Sequence, residues 1–358
     1  MAHLARNIRF VHSRASDADP APRTTTGGLV VSLDFELAWG VLDVPGAEGP
    51  YKANLLGARE AIPRMLDLFA EFGIAATWAT VGFLFAESHE ELETYAPSIR
   101  PTYENPRFDP YREVTGESER ADPTRFAPSL IRMISQAPRQ WIGSHTFSHY
   151  YCLEAGQTAD AFDADMGAAV AIAAARGITL RSLVFPRHQI RPDYLPIAAR
   201  HGFITFRSNE RHRLDQPARA PGGSLPVRVA RRINAYVPLT GDHVVPWSAV
   251  ASRGGLIDLP ASHFLRPIEL RLRALEPVRL GRIRRAMRVA AERGALLHLW
   301  WHPHNMGVQL SEHLRGLRGL LEDYDRLRTE YGFASYAMED VTDELMSAAA
   351  ASMPRPRS

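Results

Sequence analysis

Residues 29–36 read LVVSLDFE and residues 54–81 read NLLGAREAIPRMLDLFAEFGIAATWATV, and these two stretches decide the fold. The first is a short apolar run closing on two acids, as a strand that ends at a polar edge would. Within 54–72, Leu55, Ile62, Met65, Leu66 and Phe69 recur at helical spacing, and Gly73 stops the pattern. Residues 74–81 return to an apolar run with β-branched and aromatic side chains, which predicts a second strand. Strand, helix, glycine, strand is a βαβ unit, and such units build parallel sheets. The rhythm continues with helices at 128–136, 158–176, 193–201, 271–293 and 311–331. Strands follow at 140–144, 180–186, 203–207, 256–260, 295–301 and 333–337. Gly177, Gly202, Gly294 and Gly332 repeat the helix-stop role of Gly73. Five helix-glycine-strand junctions predict one α/β domain, a distorted (β/α) barrel, and no fixed-period repeat interrupts it.

Outside that rhythm the chain is irregular. Residues 1–27 read as a polar tail, 28–345 as the barrel domain and 346–358 as a second tail. Residues 86–126, with Pro97, Pro101, Pro106 and Pro110, read as an insertion lying over one face, a candidate lid. The 358 residues are 45% hydrophobic and 23% charged, ordinary for a globular protein and wrong for a disordered one. Forty-two basic against 40 acidic residues argue against a dedicated nucleic-acid binder. The single cysteine, Cys152, excludes a disulfide framework and any multi-thiolate metal site. No apolar run reaches the length of a membrane span, and the first residues carry no signal-like apolar core, so a cytoplasmic location is expected.

Four short constellations carry chemistry. His145-Thr146-Phe147-Ser148-His149 follows the strand at 140–144. On one helical turn, imidazoles at i and i+4 lie one above the other and reach a common ion at about 2.0–2.1 Å for zinc. Two ordinary histidines at a helix start fit the same spacing. Asp34 and Glu36 alternate onto one face of their strand, with Phe35 on the other. Two adjacent carboxylates push their pKa values apart unless a cation intervenes. An acidic pair at a strand end can equally serve as a helix cap. The run LLHLWWHPHN at 296–305 places His302 at a strand end, where an acid or base is useful, and His298 two pleats deeper on the same face. Beyond Pro303, His304 reads as a surface residue. Last, Phe185-Pro186-Arg187 ends a strand in an arginine able to fork a carboxylate. Nucleophile elbow, phosphate-binding loop, HExxH and dinucleotide fingerprint are all missing from the sequence.

In their order, these pieces resemble the polysaccharide deacetylase family, the NodB-homology domain of carbohydrate esterase family 4. The resemblance runs from about residue 29 to about residue 343. It rests on SLDFE for the acidic motif, HTFSH for the histidine motif, ATWATVG for the alanine-threonine strand, FPR for the arginine motif, and the strand reaching His302. It implies a distorted (β/α) barrel with its site at the C-terminal strand ends. It further implies a metal-dependent hydrolase that removes an N-acetyl group from an amino sugar in a surface polysaccharide or its precursor. Glu36, His145 and His149 would hold a divalent metal, most simply zinc. Asp34 would be the base, His302 the acid and Arg187 the residue orienting Asp34.

One departure from the family pattern is Asp34-Phe35-Glu36 where adjacent aspartates are usual, so the base and ligand roles of Asp34 and Glu36 can be exchanged. His298 is the alternative to His302. The rival functions are hydrolysis of a cyclic amide or ureide on the same fold, and a carbohydrate-binding protein without chemistry. Trp39, Trp300 and Trp301 are the candidates to stack on a sugar ring, with a place in the core the expected role for at least two of them. The basic stretch 271–293 reads as a solvated helix face or a patch for a phosphorylated partner.

Overall fold

The computed structural model of the chain describes residues 26–42, 49–113, 115–210 and 241–351. Ten strands lie within them: β1 (Gly28–Phe35), β2 (Ala76–Thr80), β3 (Gln140–Ser144), β4 (Ser182–Val184), β5 (Thr205–Ser208), β6 (Ala251–Arg253), β7 (Leu256–Pro260), β8 (His263–Phe264), β9 (Leu296–Trp301) and β10 (Ala334–Tyr336). The helices are α1 (Lys52–Phe72), α2 (His89–Tyr95), α3 (Pro128–Gln136), α4 (Ala159–Ala174), α5 (Leu195–Arg200), α6 (Glu276–Glu292), α7 (Leu310–Tyr331) and α8 (Met338–Ala351).

The strands run in the order β6-β7-β5-β4-β3-β2-β1-β9-β8, with β10 added beside the start of β1. All neighbours are parallel except β6 and β7. β7 and β8 stand at opposite ends of this order, yet only Ala261 and Ser262 separate them in the chain. Ala261 N–H donates to Ser208 O (2.9 Å) and Ser262 N–H to His298 O (2.9 Å). One extended segment therefore pairs first with β5 and then with β9, and the sheet closes on itself. Closure removes the exposed edge that an open parallel sheet would leave there.

Every residue of β1, β2 and β9 is buried, as expected where side chains on both strand faces are covered. Outside, α1 lays Leu55, Ile62, Met65 and Phe69 on the barrel and ends at Gly73, whose φ of 67° no side chain tolerates easily. The Phe69 ring meets Trp78 and Trp301 edge-on at 6.3 and 6.2 Å. Trp39 and Trp301 are thus core residues, both 1% exposed. Among the described residues no helix is long and apolar enough to cross a membrane.

The structure adds two things to the sequence reading. The insertion at 86–126 carries α2 and a layer of buried aromatics, Tyr103 and Phe108, packed on Tyr151. The C-terminal stretch is helical as far as Ala351, beyond the boundary expected at residue 345. This last helix plugs the N-terminal end of the barrel. Glu339 on its first turn is buried between the hydroxyls of Thr77 (2.6 Å) and Ser182, both donating to its carboxyl.

Candidate active site

The C-terminal ends of the strands converge on one cluster. Asp34 comes from β1 and Glu36 from the residue just beyond it. His145 and His149 follow β3, Arg207 lies in β5, and His302 follows β9. Gly40 lies in the turn after β1, and a Cβ there would collide with the Glu36 carboxylate, so the turn is shaped around that side chain.

The histidine pair is not on a helix, contrary to the expectation from its spacing. Thr146 and His149 have φ of 63° and 57°, and the segment is a tight loop. Asp165 on α4 holds it by accepting from Phe147 N–H (2.7 Å), Ser148 N–H (3.1 Å) and the Ser148 hydroxyl. Tyr150 N–H donates back to Thr146 Oγ1 (2.7 Å). The loop still brings the two rings to 5.1 Å, because backbone strain spent there is offset by these bonds.

Glu36 Oε2 lies 3.0 Å from His149 Nε2 and 3.3 Å from His145 Nε2, and the three residues are buried. His145 Nδ1 donates to the carbonyl of Val184 (2.8 Å), which fixes the ring with its Nε2 turned toward the carboxylate oxygen. His149 Nδ1 is fixed by the Tyr151 hydroxyl (3.1 Å), and the Tyr151 N–H is held by Tyr103 of the insertion (2.8 Å). Burial favours the neutral form of His149, the form that ligates. Burial opposes the charge on Glu36, but the surrounding imidazoles of His302, His145 and His149 hold its carboxyl well below the ordinary range. Among the described residues these three alone converge as a ligand set for a metal ion.

Asp34 has a different setting. Arg207 forks it with bonds of 2.7 Å to each oxygen, and the guanidinium lies 4.4 Å from the Trp300 ring. Burial would raise the Asp34 pKa; Arg207, with His145 and His302, outweighs it and brings the value down to about 2. Arg207 also donates to Ser32 Oγ (3.0 Å), which donates to His298 Nε2 (2.8 Å), while His298 Nδ1 donates to Pro260 O (3.2 Å). Each donor in this chain is fixed by the acceptor beyond it.

This corrects the sequence reading of Arg187. The arginine on Asp34 is Arg207, not Arg187. Arg187 has a positive φ of 52° in the turn after β4, which turns its guanidinium over the rings of Tyr151 (4.7 Å) and Phe108 (5.6 Å). His298, with both nitrogens engaged below Asp34, is part of the support for Arg207. The expectation for His304 also fails: it is 2% exposed, packed against the rings of Tyr51 (5.8 Å) and His302 (5.2 Å).

His302 faces both acids, its Nε2 3.3 Å from Glu36 Oε1 and 3.9 Å from Asp34 Oδ2. The Tyr51 hydroxyl donates to Asn305 Oδ1 (3.2 Å), which leaves Asn305 Nδ2 facing His302 Nδ1 (3.4 Å). Burial and the Glu36 charge push the Tyr51 pKa to about 12, so it remains a donor. An imidazole that accepts at Nδ1 carries its proton at Nε2, on the side of the carboxylates. Sequence reasoning did not single out Arg207, Ser32, Tyr51, Asn305 or Asp165. Arg207 alone left a signal, as a charged residue closing a short apolar strand.

The fold and this cluster define a closed (β/α) barrel with a buried carboxylate-imidazole ligand set at its mouth. A polysaccharide deacetylase family model matches residues 48–206, a span that holds the histidine pair. The chain covers 96% of its length against 99% of a Mycobacterium smegmatis protein assigned to the polysaccharide deacetylases, at TM-score 0.55 and 14% identity. A Pseudomonas aeruginosa protein assigned likewise aligns over 89% of this chain and 90% of its own, at TM-score 0.50 and 11% identity. An allantoinase aligns over 92% and 91%, at TM-score 0.48 and 12% identity. No curated protein matches at the level of sequence. Residues 48–206, somewhat under half of the chain, therefore carry the match to the polysaccharide deacetylase family, and the solved structures share its fold.

Proposed function

We propose that the chain is a metal-dependent hydrolase that removes the N-acetyl group from an amino sugar in a surface polysaccharide or its precursor. The observation that carries this is the convergence of one ligand atom each from Glu36, His145 and His149, all buried and within 4.8 Å of one another, an arrangement that suits a shared cation. A divalent ion, zinc by the nitrogen-rich donor set, would polarise the acetyl carbonyl and acidify a water there.

The chain's own groups complete the chemistry. Asp34, ionised above about pH 2, takes the proton of the attacking water. Arg207 holds that carboxylate in one orientation and keeps it charged until the proton arrives. As the water oxygen bonds to the carbonyl carbon and the carbon–nitrogen bond breaks, the nitrogen needs a proton. His302 Nε2 is the donor facing the same space, and Asn305 and Tyr51 keep its proton on that nitrogen. The products are acetate and a free amino sugar.

The test is metal content by mass spectrometry, with acetate release from N-acetylglucosamine oligomers, on wild type and His149→Ala. Near one equivalent of metal in the wild type, lost in the variant together with acetate release, is the expected result. A wild type without metal after zinc and cobalt are supplied would overturn the ligand assignment and favour cyclic-amide hydrolysis or carbohydrate binding.

A further inference from the structure

A second cluster of charge lies away from the barrel mouth. The α6 and α7 helices and the segment at 265–275 enclose a cleft of about 360 Å³, within the range of small-molecule sites. Arg266, Arg273, Arg279, Arg284 and Arg315 line it, against Glu276 and Glu312. Arg273 is engaged by Glu312 (2.8 Å) and Arg284 by Asp323 (2.6 Å). Arg315 has no acidic partner among the described residues. Arg279 is 5% exposed and gives Nε (3.1 Å) and Nη2 to Glu276, while its Nη1 is buried with no partner. A buried guanidinium N–H left unpaired is costly, and a bound acceptor removes the cost.

His313 adds no charge to this place. Its Nε2 accepts from Ile268 N–H (2.9 Å) and its Nδ1 donates to Val308 O (3.0 Å), which describes a neutral, fixed ring. Leu265, Leu280, Met306 and Leu317 supply the apolar part of the lining. Around it, Leu270 and Leu275 on the segment that leads into α6 and Val278 in its first turn are 62%, 42% and 50% exposed, an unusual exposure for such side chains. Arginine excess fits an oxyanion better than a neutral ligand, and the planar fork suits phosphate oxygens in particular. We propose that this cleft binds a phosphoryl group carried on an apolar body, at a site separate from the barrel mouth. The cleft adjoins the mouth through the chain: Leu265 follows Phe264, whose ring packs on Trp300 and His302, and Met306 closes the turn after His302.

Two probes sample the two sources of this chemistry: inorganic pyrophosphate by isothermal titration calorimetry, and phosphatidylglycerol vesicles by flotation. At least one binds saturably to the full chain. Arg279→Gln and Arg315→Gln each weaken that binding about tenfold or more, the scale of one charge-assisted contact. His149→Ala leaves it unchanged. Arg315 is exposed and unpaired, so its variant tests the site independently of any folding defect at Arg279. Pyrophosphate binding points to a soluble phosphorylated ligand, and vesicle binding without it to a lipid headgroup; either supports the site. Binding of neither probe, binding that survives Arg315→Gln, or binding abolished by His149→Ala overturns it.

Discussion

The mouth and the floor of the barrel bury carboxylates equally well and treat them in opposite ways. Asp34 and Glu36 are buried at the mouth among guanidinium and imidazole groups, and both are held in the charged form. Glu339 is buried at the floor between two hydroxyls, and burial pushes its pKa above the ordinary range. Depth alone does not set charge in this protein; the partner does. The mouth favours ionised carboxylates, while burial at the floor pushes a hydrogen-bonded carboxyl toward its neutral form.

Replacing the partner at the mouth gives the largest effect. Arg207→Gln leaves the Asp34 carboxylate buried without its counter-charge, a defect on the order of 3–5 kcal/mol. Turnover should fall by about 100-fold or more. The acidic limb that Asp34 sets near pH 2 should move up, since burial would then be opposed by His145 and His302 alone. In the wild type the Asp34–Arg207 contribution to folding is complete above about pH 4 and is lost as pH falls toward 2, because the folded-state pKa is depressed. A pH-activity profile and acid unfolding of both proteins measure this, and an unmoved limb would detach Asp34 from the reaction.

Gly40→Ala is a gentler probe of the same end. The new Cβ displaces the Glu36 carboxylate without altering any ligand. Metal affinity should drop about 10- to 100-fold, the usual scale for disturbing a ligand's support, as measured by competition with a chelator. Unchanged affinity would remove Glu36 from the ligand set.

The smallest change belongs to the floor. Glu339→Gln substitutes a neutral group of the same shape where burial already favours the neutral acid. Because its folded-state pKa is raised, wild-type stability falls as pH rises above the ordinary glutamate value of 4.5. The variant should lose that slope while changing stability at pH 4 by about 1 kcal/mol or less. Urea unfolding across pH reads it; a large loss at pH 4 would mean that Glu339 is charged and that the contrast between floor and mouth is false.

Much of this architecture is legible in the residues, because local rules and tertiary demands agree along most of the chain. The strands at β3 and β7 and the helix at α3 fall at their expected bounds, and the glycine after α1 takes the left-handed geometry expected of it. Local rules fail where pairing partners are remote. Arg187 follows one short apolar strand and Arg207 lies in another, and nothing near either says which meets Asp34; the sheet order and the sharp turn at Arg187 decide it. Likewise the spacing of His145 and His149 predicts proximity correctly but the backbone wrongly, because Asp165, sixteen residues beyond His149, fixes the loop. The helix at the floor has no glycine to announce it after β10, and its meaning lies in a carboxyl that reaches Thr77 and Ser182.

The two-residue step from β7 to β8 also bears on how the barrel assembles. One segment belongs to two seams, so neither can slip in register without dragging the other by the same amount. It acts as a phase lock between the strand carrying Arg207 and the strand leading to His302. The pairing of Gly28 with Leu296 spans most of the chain, and contacts of such separation form slowly. The buried cluster at the mouth is therefore complete only once the circle is drawn shut.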